Sequence, residues 1–163
     1  MDNLAEAFAG ESQANQTYLS FAKQAEKEGM EQVAKLFRAV AAAETIHAHA
    51  HLRAMEAVKS TSENLAEAIS SEEYEFSSMY PPMIEAAKSE GHAHAERSMT
   101  HALEVEKVHY QLFRKAAEAI QNDNDLEVSH VLVCPICGFT VMGSAPDNCP
   151  VCHVKAEKFI DIA

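Results

Sequence analysis

Two short stretches, Glu44-Thr45-Ile46-His47 and Glu106-Lys107-Val108-His109, decide how this chain is to be read. In each, a Glu is followed three residues later by a His, which places the pair one turn apart on the same face of a helix. The two copies lie 62 residues apart, and the same offset links Tyr18 to Tyr80 and Gly29 to Gly91. Four unusual positions sharing one offset mark an internal duplication, so residues 1–121 read as two related helical hairpins.

Working outward, apolar residues recur at helical spacing in four blocks. Leu4, Phe8, Tyr18 and Ala22 carry the first stripe, with Glu11 and Asn15 among them. The second runs from Val33 through Glu44, His47 and His51 to Met55 and Val58. The third passes from Leu65 through Glu72 to Ala86, and the fourth from Ala95 through Glu106 and His109 to Ile120. Gly29 and Gly91 suit the position just past a helix end. Thr61 or Ser62 is the expected N-cap of the third helix. Pro81-Pro82 should kink or split that helix, because proline lacks the backbone donor and clashes with the preceding turn. The expected fold is all-α: a four-helix bundle with a small C-terminal module.

The acidic residues on the stripes are the chemical clue. Glu11, Glu44, Glu72 and Glu106 stand on faces expected to point inward, where an unpaired carboxylate costs several kcal/mol. Lys23, Lys35 and Lys107 lie off these faces and cannot neutralise them. One Glu from each of two helices, with Glu-x-x-His from each of the other two, is the ligand pattern of ferritin-like di-iron or di-manganese carboxylate sites. Mixed imidazole and carboxylate donors suit iron or manganese better than calcium. In the third helix the repeat arithmetic points to Glu73 and the stripe to Glu72. A π-bulge would absorb the extra residue. Glu75 is an additional carboxylate one turn beyond Glu72. His49, His92, His94 and His101 fall off the stripes and read as surface residues.

The formal charge of −12, from 25 acidic and 13 basic residues, argues against nucleic acid as a partner. No run approaches the roughly 18 apolar residues needed to cross a bilayer. The N-terminus lacks the pattern of a secretion signal, so a cytoplasmic protein is the default expectation. After Ile120 the character changes. Residues 122–130 read as a polar linker, and 131–163 as a separate module carrying all four cysteines. Cys134-Pro-Ile-Cys137 and Cys149-Pro-Val-Cys152 form two C-x-x-C knuckles, a strong signal for a tetrahedral sulfur site holding zinc or iron. So small a module needs that ion to stay folded. Phe139 and Phe159 should form its core.

Taken together, these motifs resemble the rubrerythrin family over nearly the whole chain. Gly10-Glu-Ser-Gln-Ala14, Glu44-x-x-His47, Glu72-Glu-Tyr-Glu75 leading to Met79-Tyr-Pro81, and Glu106-x-x-His109 match its di-iron half. Cys134-Pro-Ile-Cys-Gly-Phe139, Gly143, Ala145-Pro146 and Cys149-Pro-Val-Cys152 match its rubredoxin-like half. Ser71, where the family usually has Gly, and Pro82 after Pro81 are departures. The resemblance implies a ferritin-like bundle and a non-haem di-iron peroxidase that reduces hydrogen peroxide to water, an oxidative-stress function of anaerobe-type cells. It implies that Glu44 and Glu106 bridge two irons, Glu11 and Glu72 bind terminally, and His109 binds one iron. His47 and Glu75 would exchange on the other. A third iron, or zinc, would sit in the four cysteines and relay electrons from an external donor of the rubredoxin or NAD(P)H-dependent reductase type. A homodimer or higher homo-oligomer is implied as well. Two other functions use the same residues: a ferroxidase or iron-binding protein, and a non-catalytic binding protein with a zinc ribbon.

Overall fold

A computed structural model describes residues 1–162. The chain separates into two compact units, Met1–Lys59 and the remainder from Ser60. The first is a helical hairpin of α1 (Asp2–Lys27) and α2 (Glu31–Ala54). Its close packing comes from small residues: Ala22, Ala25 and Ala34 are buried, and Phe37 packs against them. The rings of Tyr18, Phe21 and Phe37 cluster beside this contact, with centroids 5.5–6.3 Å apart. Asn15 ties the helices together, donating from Nδ2 to the Ala41 carbonyl at 2.7 Å and to Thr45 Oγ1 at 2.8 Å.

The turn between α1 and α2 follows from Gly29. Its φ of +75° lets the Met30 amide reach back to the Ala25 carbonyl and the Gly29 amide to that of Glu26. Gly91 repeats this arrangement with the same φ, closing on Ala87 and Lys88. Helix α2 stops at Ala54, so Val58, expected on its stripe, lies beyond the helix and is exposed.

The second unit begins with α3 (Thr61–Tyr74), whose N-cap is Ser60 rather than Thr61 or Ser62. The reason is Glu63, which stands at the third helical position after Ser60 and completes a reciprocal capping box with it. A π-helical turn, Glu75–Met79, follows α3 directly, and α4 (Tyr80–Ser89) continues with Pro81 and Pro82 in its first turn. The prolines therefore fall where their missing donors are tolerated, next to the widened turn. The long α5 (Ala93–Gln121) runs back along α3 and α4. The chain then forms a three-stranded antiparallel sheet in the order β2-β1-β3, from β1 (Val131–Val133), β2 (Thr140–Met142) and β3 (Ile160–Asp161). Phe139 and Phe159 meet edge to face beneath it, at 6.3 Å between centroids. This module sits on α5: the carbon that a side chain at Gly138 would add lies 3.7 Å from the methyl of buried Val105. No helix among the described residues is long and apolar enough to cross a membrane.

Candidate metal centre

All the expected ligands except Glu75 gather into three groups. In the first unit, donor atoms of Glu11, Glu44 and His47 all lie within 4.8 Å of one another. In the second, Glu72, Glu106 and His109 do the same, as do the four cysteines. Helical spacing explains each Glu–His pair: His47 Nδ1 lies 2.8 Å from Glu44 Oε2, and His109 Nδ1 lies 2.7 Å from Glu106 Oε2. In the third helix the half-buried Glu72 joins a group, whereas Glu73 is exposed and joins none. The π-helical turn appears just where the repeat has its additional residue.

None of these carboxylates is fully buried within its own unit, which differs from the inward-facing expectation. The side chains of Glu44 and Glu106 are 15% and 16% exposed, and His47 is 55% exposed. Each hairpin covers only the side turned to its own partner helix, so the ligand edge stays accessible. The charges are nevertheless frustrated. Burial, the neighbouring Glu106 charge and a hydrogen bond shared with Glu106 push the Glu72 carboxyl up to about 7. Burial, followed by Glu106, also raises Glu75. Tyr80 is raised by burial and then by Glu75, Glu106 and Glu72, so it keeps its phenolic proton beside this cluster.

His109 shows most directly what the group can hold. Its Nε2 lies 3.3 Å from the Gly138 carbonyl and 3.0 Å from Thr140 Oγ1, and the Thr140 hydroxyl itself donates to Gly138 O. A carbonyl only accepts, so Nε2 carries a hydrogen. Nδ1 and a Glu106 oxygen then converge on one place, where a proton shared between them or a cation bound to both satisfies the pair. Sequence reasoning did not select Thr140 or the Gly138 carbonyl. The polar residue two places after the knuckle glycine was the available sign.

The cysteines form matching knuckles. The Gly138 amide donates to Cys134 O at 2.9 Å, and the His153 amide to Cys149 O at 2.9 Å. Both closing residues have positive φ, +86° for Gly138 and +64° for His153. All four thiols are free, with Cys134 Sγ 3.5 Å from Cys152 Sγ and Cys137 Sγ 3.5 Å from Cys149 Sγ. A tetrahedral ion with bonds of about 2.3 Å sets sulfurs about 3.8 Å apart, close to this spacing. Burial pushes the Cys137 and Cys152 thiols up. At Cys149 burial is outweighed by amide hydrogen bonds from Cys152 and Val151, and its thiol is lowered. The Cys149 sulfur is thus favoured as a thiolate, and Cys137 and Cys152 need a cation to ionise with it.

A helical ligand half followed by a four-cysteine module defines a non-haem iron protein of the di-iron carboxylate class. The family model Rubrerythrin matches residues 2–117, and the model Rubrerythrin, rubredoxin-like domain matches residues 133–160. The chain is 35% identical to Rubrerythrin-2 of Clostridium acetobutylicum, over 97% of this chain and 94% of that protein. It is 36% identical to nigerythrin of Nitratidesulfovibrio vulgaris, over 98% of this chain and 84% of that protein. The solved structure of fully reduced, all-ferrous nigerythrin superposes with a TM-score of 0.61 at 35% identity, covering 99% of this chain and 85% of that one. The chain belongs to the rubrerythrin family, whose members are redox proteins with a di-iron site and a rubredoxin-like four-cysteine site. The donor sets described above fit both groups.

Proposed function

We propose that this oxidoreductase reduces hydrogen peroxide to water, taking its electrons through the four-cysteine centre from an external donor in the cytoplasm. In this reading residues 1–121 provide the di-iron half, 122–130 the linker and 131–163 the electron-entry module. Glu11, Glu44, His47, Glu72, Glu75, Glu106 and His109 hold the iron pair, and Cys134, Cys137, Cys149 and Cys152 hold the single ion. When bound, the iron pair supplies the two electrons that O–O cleavage takes, and the four-cysteine ion supplies one-electron exchange.

The observation that carries this reading is the position of His109. One ring nitrogen converges with Glu106, and the other is bonded to Gly138 and Thr140 beside the second cysteine of the first knuckle. The chain therefore links its carboxylate cluster to its cysteine module through a single side chain. That arrangement suits electron delivery, which a protein that only stores iron does not need. Around the cluster, Tyr80 keeps a proton on its hydroxyl, and Thr140 and Gly138 fix the His109 ring and its tautomer.

Stopped-flow oxidation of the fully reduced, iron-loaded protein by peroxide and by dioxygen tests the proposal. Peroxide should oxidise the protein much faster. A clear preference for dioxygen would replace this reading with a ferroxidase.

A further inference from the structure

A cleft of about 620 Å³ opens where the first turns of α5 face the knuckles. Its wall on α5 is His94, Arg97, Ser98 and His101; the opposite wall includes Ile136, Cys152 and His153. In a chain carrying 25 acidic residues, this lining contains no carboxylate among the described residues. Arg97 is exposed, its guanidinium contacts His94 Nδ1 at 3.2 Å, and no carboxylate lies within ion-pair distance of it among the described residues. The cleft therefore presents one unpaired positive charge, that of Arg97, on a molecule of formal charge −12.

Its position gives that charge a use. Cys134 and Cys149 are buried, while Cys152 is only half-buried and borders the cleft. Ile136, at the tip of the first knuckle, is 66% exposed and supplies an apolar lip. An apolar rim beside a metal-ligand edge, flanked by one sign of charge, is what a small, short-lived electron-transfer contact requires. We propose that this cleft is the docking surface for an acidic electron-carrier protein, with Arg97 as its charged anchor and the carrier's redox centre facing Cys152. This docking role rests on the four-cysteine group being the point of electron entry proposed above. An acidic carrier is repelled by most of this surface, so the cleft both attracts it and selects its orientation.

The test uses the full-length, iron-loaded protein. The bleaching of its iron–thiolate band is followed in stopped flow with three reductants: a reduced acidic rubredoxin, reduced flavin mononucleotide and reduced riboflavin. Arg97→Glu should slow reduction by rubredoxin about tenfold at low ionic strength, with the difference shrinking as salt is added. Riboflavin should reduce both proteins at the same rate. Arg53→Glu, an identical change of net charge on α2, should alter the rubredoxin rate less than about twofold. Calorimetry on the zinc-loaded protein should show the same loss of rubredoxin binding in Arg97→Glu, independent of electron transfer.

An unchanged rubredoxin rate in Arg97→Glu overturns the docking site. Equal slowing with riboflavin overturns it too, since the substitution would then act on the cysteine centre itself. Slowing confined to the mononucleotide makes the cleft a site for small anions instead. If no reductant bleaches the band in the unsubstituted protein, the electron-entry reading fails and the docking site falls with it.

Discussion

In the metal-free protein Glu72 titrates near neutrality, because burial and Glu106 raise its carboxyl from 4.5 to about 7. The folded state therefore binds more protons than the unfolded chain between these values, and stability falls as pH rises through that window. Its contribution is complete below about 4.5 and lost above about 7. Glu75, raised in the same direction, adds to the trend. Thermal melts of the metal-free protein should show Tm falling between pH 5 and pH 7.5, and Glu72→Gln should flatten the curve. Iron binding needs the ionised carboxylates, so stabilisation by added ferrous iron should instead grow with pH over the same range. A metal-free Tm that rises with pH would contradict the frustrated cluster. The bridging pair is open to a direct count: Glu44→Gln with Glu106→Gln should remove about two irons per chain and leave the four-cysteine ion in place. At this scale the sequence was informative, since spacing by itself placed Glu44 beside His47 and Glu106 beside His109. It left Glu72 and Glu73 undecided because they are adjacent, and only the rotation of the finished helix shows which one faces the cluster.

The π-helical turn is the element on which the second hairpin's geometry depends. It keeps Tyr80 among Glu72, Glu75 and Glu106, whose charges act on its phenol. Deleting Ser77 should convert the turn to α-helix and rotate α4 by about 100° relative to α3. Spectrophotometric titration of the metal-free variant should then show the highest-titrating tyrosine returning toward 10. Circular dichroism should show helix content unchanged. At the other end of α3, Ser60→Ala removes the hydroxyl that accepts from the Glu63 amide and should cost about 1 kcal/mol in denaturant melts. The offset of 62 residues exposed the duplicated hairpin, and with it the two glycine turns, because φ of +75° strongly favours glycine at both. Residue type misplaced the α3 cap. Ser60, Thr61 and Ser62 are all competent caps by residue type, and only the reciprocal bond with Glu63 distinguishes them.

Across the whole molecule, the feature least visible in the sequence is the contact between α5 and the cysteine module. His109 and Thr140 are 31 residues apart, and no periodicity connects a helix position to a residue beyond a turn and a linker. The contact nevertheless couples two chemistries. The ring of His109 is oriented by Gly138 and Thr140, and Gly138 is placed by the knuckle that Cys134 and Cys137 close. A partner on the distal nitrogen of a ligating histidine sets its tautomer and orientation, and losing it typically lowers metal affinity 10- to 100-fold. Thr140→Val keeps the β-branched shape suited to β2 and removes only the hydroxyl. Gly138 O then remains as the sole partner of Nε2, at 3.3 Å. The variant should bind its full complement at the four cysteines, with an unchanged iron–thiolate spectrum. Chelator competition with ferrous iron should show one site on the carboxylate cluster weakened about tenfold. Equal affinity in the two proteins would mean that Glu106 and the neighbouring helices orient His109 unaided, and that the module rests on α5 without tuning the site beneath it.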